Sequence, residues 1–253
     1  MIRFILIVLM LLAFLIGTLP LMFAEWIIGK FNPDLKSRSS LAIVNWGFRC
    51  ILKISGVKVI AEGEENIPQD TAVLYVANHR SYFDILLTYV RVPRPTGYVS
   101  KKEMDKFPLL RGWMRNLHCL FLDRGNIKEG LKTILTGVEK VKQGISICIF
   151  PEGTRNKEAD TFLPFHDGSF KIAEKGGVPI QPITIVNSAA LFEDHLPKVK
   201  KATVILSYGK PIYMNQLDKD TKKSIGSYVS GIISDEYFRL KEVYKDQLES
   251  SCK

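Results

Sequence analysis

Ala72-Val-Leu-Tyr-Val-Ala77 is a short apolar run, and the polar segment Asn78-His-Arg-Ser-Tyr-Phe-Asp84 follows it directly. An apolar run of this length without a charge is typical of a buried strand. Ile85-Leu86-Leu87 comes next and indicates the start of a helix. The stretch therefore predicts a strand, a turn and a helix in succession, which is the repeating unit of an α/β domain.

The turn places His79 and Asp84 five residues apart. A carboxylate beside an imidazole fixes the imidazole tautomer and raises its basicity, which produces a general base. The alternative is structural, because Ser81-x-x-Asp84 also fits a helix capping box and would leave His79 as a polar loop residue. These residues by themselves leave catalysis and helix capping open.

The alternation of apolar runs and helical patterns continues from Val57 onward. The predicted strands are Val57–Ala61, Ala72–Ala77, Gly97–Ser100, Cys119–Leu122, Ile145–Phe150, Ile180–Val186 and Thr203–Tyr208. The predicted helices are Phe83–Tyr89, Pro108–Asn116, Ile127–Gln143, Gly168–Lys175 and a long, solvated helix over Leu217–Gln247. This pattern predicts an α/β fold with a central, mostly parallel or mixed sheet flanked by helices.

The N-terminal part of the chain predicts a different structure. We expect residues 1–56 to form a membrane-anchoring helical hairpin and residues 57–253 to form the α/β domain. Phe4–Ala24 is a stretch of 21 residues without a charge, long enough to cross a bilayer. The bulky Met22 disfavours a signal-peptide cleavage after Ala24. Three residues are expected to bend the stretch, so that it crosses or dips into the bilayer: Gly17, Thr18 and Pro20.

Flanking charges predict the orientation. The stretch is preceded by one basic residue, Arg3, and followed by three, Lys30, Lys36 and Arg38, so positive charge is greater on its C-terminal side. The positive-inside rule then predicts a location at the cell membrane with the active site facing the cytoplasm. The next segment, Leu41–Ile54, is amphipathic and has Trp46 at headgroup level, which predicts an interfacial helix. The alternative is a helix packed on its own domain.

The net charge of +9 implies an anionic partner. Nucleic acid, a membrane surface and a phosphorylated substrate would each satisfy this requirement. The basic residues are not interleaved with aromatic residues as in nucleic-acid-binding modules, so we expect lipid and phosphate as partners and no nucleic acid. The cysteines are scattered without a Cys-x-x-Cys pair, which predicts reduced thiols and no structural zinc: Cys50, Cys119, Cys148 and Cys252.

Basic residues also follow three of the predicted strands. Phe150-Pro-Glu-Gly-Thr-Arg155 and Leu120-Phe-Leu-Asp-Arg-Gly125 each carry an arginine past a strand end, and Lys101-Lys102 follow a third strand. Open α/β sheets bind ligands at strand ends, and arginine presents a planar fork of donors to phosphate oxygens. A cationic phosphate pocket is therefore predicted, with weakly paired surface turns as the alternative.

The sequence lacks the motifs of several other enzyme classes. The sequence contains no Gly-x-Ser-x-Gly elbow, no Gly-x-x-x-x-Gly-Lys-Ser/Thr loop and no Gly-x-Gly-x-x-Gly motif. The histidines show no metal-ligand spacing, at positions 79, 118, 166 and 195. We therefore expect no serine nucleophile, no nucleotide-binding loop and no metal site.

Four motifs occur in a fixed order, and they are Asn78-His79 through Asp84, Phe121-Leu-Asp-Arg124, Phe150–Arg155 and Val178-Pro-Ile-Gln-Pro182. With this order and spacing, the chain resembles the glycerolipid acyltransferase family, in particular the bacterial 1-acyl-glycerol-3-phosphate (lysophosphatidic acid) acyltransferases. The resemblance covers about Val57 to Tyr213. It implies an acyl transfer at the membrane, in phospholipid synthesis.

The resemblance also implies roles for single residues. His79 is the general base and Asp84 orients it. The second and third motifs hold the glycerol phosphate of the acceptor, through Arg124, Glu152, Gly153, Thr154 and Arg155. Lys101 matches a family lysine near the phosphate, and Val178–Pro182 is linked to acyl binding and local structure.

Two positions depart from the family pattern. His118 stands three residues before Phe121, where the second motif often has glycine. His166 replaces a lysine ahead of Gly168. We expect His118 to alter the shape of the pocket, and with it the preference for acyl chain or donor.

The implied substrates are lysophosphatidic acid and an acyl thioester, either acyl-CoA or acyl carrier protein, and the product is phosphatidic acid. Because a thioester is already activated, neither an enzyme nucleophile nor a cofactor is implied. An acceptor such as glycerol 3-phosphate or another lysophospholipid is the nearest alternative. A non-catalytic protein that captures anionic membrane lipid is the alternative from another class.

Overall fold

A mixed sheet of seven strands forms the centre of the computed structural model, which describes residues 1–250. The strands are β1 Lys58–Glu62, β2 Leu74–Ala77, β3 Thr96–Lys101, β4 Leu120–Leu122, β5 Ser146–Ile149, β6 Ile180–Val186 and β7 Thr203–Tyr208. Each of them lies within two residues of its predicted bounds. The predicted α/β fold is confirmed.

The strand order across the sheet is β1-β7-β6-β2-β5-β3-β4. β2 to β6 run in one direction, whereas β7 pairs antiparallel with β6 and β1 runs parallel to β7. The carboxyl ends of β2 to β6 therefore share one edge of the sheet. The central strands are covered on both faces, which explains why their sequences are continuous apolar runs.

Helices cover the two faces of the sheet. They are α1 Ile2–Gly17, α2 Leu19–Phe31, α3 Pro33–Ser55, α4 Phe83–Tyr89, α5 Pro108–Asn116, α6 Ile127–Lys142, α7 Lys171–Gly176, α8 Lys219–Lys223, α9 Ile225–Val243 and α10 Lys245–Ser250. Alternate side chains of β2 point to opposite faces. Tyr75 packs in the core under α3, α4 and α5, and Leu74 packs in the core under α6, α7 and α9.

The N-terminal helices form a hairpin with one bent arm. α1 and α2 meet at an angle of 47° and both pack along α3. The break falls at Thr18, among the residues predicted to bend the stretch. Thr18 Oγ1 donates to Phe14 O at 2.6 Å and accepts the Trp113 indole N–H at 3.0 Å, so the break is attached to α5.

In residues 1–250, only α1 and α2 taken together have the length and hydropathy of a membrane-spanning segment. No single helix among these residues satisfies both criteria. The division into residues 1–56 and 57–253 stays a prediction, because α3 belongs to the core of the sheet domain as well as to the hairpin.

The prediction of an interfacial helix at Leu41–Ile54 is wrong for its apolar face. This segment lies in α3, and four of its apolar side chains are buried in the core of the protein: Leu41, Val44, Ile51 and Leu52. The apolar stripe is covered by helices that lie far away in sequence. Trp46 alone among the aromatic residues of this helix is exposed, with 57% of the residue accessible to solvent.

The predicted solvated helix over Leu217–Gln247 is also corrected. The segment contains α8, α9 and α10, separated at Ser224 and Tyr244. The inner face of α9 is buried against the sheet through Val229, Ile233 and Leu240, so only its outer face is solvated.

The structure also describes three of the four cysteines and the backbone conformation of His118. Cys50, Cys119 and Cys148 are free thiols, and Cys252 lies outside the described residues. His118 has φ 59°, a left-handed conformation in which glycine is unstrained, and this is consistent with the glycine that the resembled family pattern often has there. Burial lowers the pKa of its imidazole to about 4.

Candidate active site

The carboxyl edge of the sheet gathers the segments that the sequence singled out. β2 leads into His79, β5 into Phe150–Arg155, β4 into Arg124, and β3 ends at Lys101. β2 lies between β5 and β6, so the first and third motifs are neighbours. This agrees with the rule that ligands bind outside the carboxyl ends of strands in open α/β sheets.

His79 and Asp84 are in direct contact across the turn between β2 and α4. His79 Nδ1 lies 2.8 Å from Asp84 Oδ2, and the Asp84 side chain is fully buried. An ionised carboxylate only accepts hydrogen bonds, so the proton is on Nδ1 and Nε2 is left as the basic nitrogen. The imidazole is 15% exposed and is therefore within reach of a substrate.

The same carboxylate also holds the turn that leads into α4. Asp84 Oδ2 accepts the backbone N–H groups of Arg80 and Ser81, both at 2.8 Å, and Ser81 Oγ accepts the Phe83 N–H at 3.0 Å. The helix-capping interpretation and the catalytic interpretation are therefore compatible. A capped helix start holds Asp84 rigid beside the imidazole.

His79 is fixed from the side of β5 as well. Its ring stacks on Phe150 with centroids 4.1 Å apart and planes at 20°. Its backbone N–H donates to Glu152 Oε1 at 2.7 Å, and its carbonyl accepts the Asn156 N–H at 2.8 Å. The ring and the backbone of His79 thus have separate anchors on the third motif.

Glu152 is buried behind His79. Its second oxygen accepts the Leu163 N–H at 3.3 Å, and the residue is only 5% exposed. Burial raises the pKa of the Glu152 carboxyl to about 7, against the lowering effect of the hydrogen bonds from the His79 and Leu163 backbones. The geometry favours a positioning role for Glu152 over the phosphate contact predicted for it.

Arg124 and Lys101 line a cavity of about 170 Å³ at the ends of β3 and β4. The other lining residues are Glu103, Leu122, Asp123 and Gly125. Lys102 pairs with Asp123 at 2.8 Å, whereas neither Arg124 nor Lys101 has an ion-pair partner in residues 1–250. Partial burial lowers the pKa of the Arg124 guanidinium. These two cations are available to an anion.

The third motif turns toward this cavity at Gly153. The φ of 74° at Gly153 is a left-handed conformation, and a Cβ there would lie 3.9 Å from Arg124 Cζ and 3.5 Å from the His166 imidazole. The structure thus brings the second motif, the third motif and His166 together. Thr154 is exposed next to this turn.

Arg155 points toward the first motif. Its Nη1 lies 3.1 Å from Glu193 Oε1, and its guanidinium lies 3.6 Å above the centre of the Tyr82 ring. The predicted pairing of Arg155 with Arg124 in one phosphate pocket is not among the contacts that the structure shows. Glu193 was missed in the sequence, because it lies beyond the fourth motif in a segment with no local pattern.

The remaining predicted residues lie outside the pocket. The fourth motif, Val178–Pro182, begins β6 at the opposite edge of the sheet from His79, so its position supports a structural role. His118 contacts Ser37 of α3 at 2.8 Å and Lys140 of α6 at 3.4 Å and is absent from the cavity lining beside Arg124. The expectation that it affects the preference for acyl chain or donor stays a prediction. Among residues 1–250 no group of three or more His, Cys, Asp or Glu side chains could hold a metal.

A family model described as Acyltransferase matches residues 58–186, which include His79, Arg124 and Arg155. The chain belongs to the acyltransferase family. The resemblance found in the sequence is confirmed.

Three relatives of this acyltransferase carry related names. The 1-acyl-sn-glycerol-3-phosphate acyltransferase of Saccharomyces cerevisiae is 31% identical over 74% of this chain, and the match spans 61% of the yeast protein. The enzyme of the same name from Haemophilus influenzae is 30% identical over 82% of this chain and 85% of its own length. The probable 1-acyl-sn-glycerol-3-phosphate acyltransferase of Mycoplasma pneumoniae is 31% identical over 75% of this chain and 74% of its own length.

A crystal structure supports the fold of the acyltransferase. The 1-acyl-sn-glycerophosphate (LPA) acyltransferase PlsC from Thermotoga maritima superposes with a TM-score of 0.68 at 23% identity. The match covers 89% of this chain and 98% of that chain.

The buried Glu152 predicts a pH-dependent stability. Because its folded-state pKa of about 7 lies above the ordinary value of 4.5, protonation stabilises the folded acyltransferase. This contribution is complete below pH 4.5 and is lost as the pH rises through 7. We expect the free energy of unfolding of the wild type to fall relative to Glu152→Gln by on the order of 3 kcal/mol over this range.

Urea unfolding of both proteins in detergent, at several pH values, measures this difference. Glu236→Gln is the control of opposite sign, because hydrogen bonding to Arg239 lowers the pKa of Glu236. Parallel stability curves for the wild type and Glu152→Gln would contradict the assignment.

Proposed function

We propose that this acyltransferase transfers a fatty acyl group from a thioester to the sn-2 hydroxyl of 1-acyl-glycerol-3-phosphate, which gives phosphatidic acid. The observation that carries the proposal is one sheet edge bearing both the His79–Asp84 pair and a cavity with the unpaired cations Arg124 and Lys101. A base and an anion site side by side suit a hydroxyl acceptor that carries a phosphate. The names of the relatives support the same acceptor.

His79 acts as the general base in the proposed reaction. Nε2 takes the proton from the sn-2 hydroxyl, the oxygen attacks the thioester carbonyl, the C–S bond breaks, and the imidazolium returns its proton to the leaving thiolate. Asp84 stabilises the imidazolium through Nδ1. A positioned base contributes about 10²–10⁴-fold to the rate, and the alignment of hydroxyl and thioester contributes the rest.

The phosphate of the acceptor occupies the cavity at Arg124 and Lys101. The guanidinium of Arg124 offers several donors to phosphate oxygens, and partial burial strengthens the interaction. The exposed Thr154 and the turn at Gly153 border the same space. This recognition would discriminate against acceptors without a phosphate monoester.

The acyl donor is an acyl thioester, and acyl-CoA and acyl carrier protein are both candidates. Both are acidic, and the net charge of +9 suits either of them. We assign no cofactor, because the thioester already carries the activated acyl group.

Replacement of the base tests the reaction. We expect His79→Ala and Asp84→Asn to lower turnover of lysophosphatidic acid about 10²–10⁴-fold, because proton transfer is lost, with little change in lipid binding or folding. The assay compares purified proteins with acyl-CoA and acyl carrier protein donors, and Lys223→Ala, an exposed residue of α8, is the control. Full turnover in His79→Ala would overturn the role of His79 as the base. Absence of turnover in the wild type, with lipid binding intact, would favour the non-catalytic, lipid-capturing alternative.

Replacement of Arg124 tests the acceptor. We expect Arg124→Ala to raise the KM for lysophosphatidic acid about 10–100-fold with a smaller change in kcat, because a charge-assisted hydrogen bond is lost. Arg115→Ala is the matched control, since Arg115 is an exposed arginine paired with Asp105. A wild type that acylates lysophosphatidylcholine and not lysophosphatidic acid would overturn the choice of acceptor.

We further propose that α1 and α2 attach the acyltransferase to the cell membrane, with the catalytic edge facing the cytoplasm. One face of α1 packs on the core through Phe4, Ile7 and Met10. The other face leaves an apolar stripe exposed, formed by Ile2, Ile5, Leu9, Leu12 and Ile16. An exposed stripe of this size supports contact with lipid. The excess of Lys and Arg after α1 supports the orientation.

Charges placed in the stripe test the attachment. We expect the double variant Leu9→Glu/Leu12→Glu to lose co-sedimentation with vesicles of anionic lipid, because carboxylates in the apolar region are costly. Leu131→Glu/Leu135→Glu is the matched control, since both leucines are exposed on α6. Equal sedimentation of the two double variants would argue against attachment through α1. Labelling of a cysteine placed at Lys223 in inverted vesicles, and not in intact cells, tests the orientation.

A further inference from the structure

Glu193 lies over the turn between β2 and α4, although it follows β6 in the chain. Asn78 ties the end of β2 to β6, because its side-chain amide donates to Ile185 O at 2.9 Å and accepts the Ile185 N–H at 2.8 Å. The short 3-10 helix Glu193–His195 then brings the Glu193 carboxylate to the turn. Its side chain is only 15% exposed.

The Glu193 carboxylate holds the part of the turn that Asp84 does not reach. Oε2 accepts the Ser81 hydroxyl at 2.6 Å, and Oε1 accepts the Tyr82 N–H at 2.8 Å. The N–H groups of Arg80 and Ser81 go to Asp84 instead. Asp84 and Glu193 therefore accept hydrogen bonds from different donors of the same turn. Loss of either carboxylate leaves some of these donors without a partner.

Glu193 also orients Arg155. The guanidinium is held between Glu193 Oε1 at 3.1 Å and the face of the Tyr82 ring at 3.6 Å. A guanidinium has five N–H donors in a fixed fork, and the contact with Glu193 uses one of them. Because the Arg155 side chain is 33% exposed, its other donors remain open to an anionic ligand.

We propose that Glu193 is a positioning residue that couples the alignment of the His79–Asp84 pair to the orientation of Arg155, and that Arg155 supplies a contact to the acceptor phosphate in addition to those of Arg124 and Lys101. The inference rests on the proposed function for its ligand, an acceptor with a phosphate group. One carboxylate serves both parts of the site, so its loss affects the base and the phosphate contact together. Its charge matters for Arg155, whereas its hydrogen bonds alone suffice for the turn.

Two substitutions separate these effects. Glutamine keeps a carbonyl at the position of Oε1, which accepts both the Tyr82 N–H and Arg155 Nη1, and its amide group donates to the Ser81 hydroxyl. Glu193→Gln therefore preserves the turn and removes the negative charge that attracts Arg155. Alanine removes the hydrogen bonds as well as the charge. We expect Glu193→Gln to raise the KM for lysophosphatidic acid about tenfold with kcat nearly unchanged, and Glu193→Ala to raise KM and also to lower kcat at least about tenfold.

The experiment measures kcat, KM and thermal unfolding of both variants, with the exposed neighbour Asp194→Asn as the control at wild-type values. In the double variant Glu193→Gln/Arg155→Ala, we expect KM to equal that of Arg155→Ala, because the charge of Glu193 affects KM only through Arg155. An unchanged KM in Glu193→Gln would overturn the proposal. So would additive KM effects, or a loss of kcat that only follows the loss of folded protein.

The wild type measured beside them separates this proposal from the proposed function. If the wild type does not acylate lysophosphatidic acid, the acceptor assignment fails. The same difference between the glutamine and alanine variants, measured with the phosphate-bearing acceptor that the wild type does use, then decides the role of Glu193.

Discussion

The hydrogen bonds of one buried carboxylate, Asp84, set the geometry on which the candidate site depends. Oδ2 accepts from the His79 imidazole and from the N–H groups of Arg80 and Ser81, each at 2.8 Å. A buried carboxylate is costly unless donors balance its charge, and these three donors to Oδ2 offset part of that cost, whereas Oδ1 is buried without a hydrogen-bond partner in residues 1–250. The interaction that makes the turn stable is therefore also the one that aims the imidazole.

The topology of the sheet explains why acidic residues surround a site in a protein with a net charge of +9. β5 and β6 flank β2, so Glu152 approaches His79 from one side and Glu193 approaches the turn from the other. Both accept backbone N–H groups, and neither pairs with Arg124. The carboxylates thus position the backbone, while the free cations face the cavity and remain available for an anionic substrate.

Local patterns in the sequence were sufficient to predict most of the fold and part of the candidate site. Apolar runs in the sequence predicted every strand, most clearly the central ones, because a strand buried on both faces requires such a run. The His79–Asp84 contact could be predicted because the two residues are close in sequence. The environment of α3 could not be predicted, because its apolar face is covered by distant helices. No local pattern in the sequence predicts the role of Glu193. Its partner Ser81 is 112 residues away in the chain, and the two residues meet only because β6 pairs with β2.

The N-terminal hairpin is part of the same packed structure and does not act as a flexible tether. Phe14 of α1 packs against Trp46 of α3 and Trp113 of α5, and Thr18 accepts the Trp113 indole N–H. α3 in turn packs on α4, the helix that follows the turn held by Asp84. A lipid surface bound at the exposed stripe of α1 would therefore have a fixed orientation relative to His79. Because close-packed helices transmit position rigidly, the attachment site would determine how an acceptor embedded in the bilayer approaches the base.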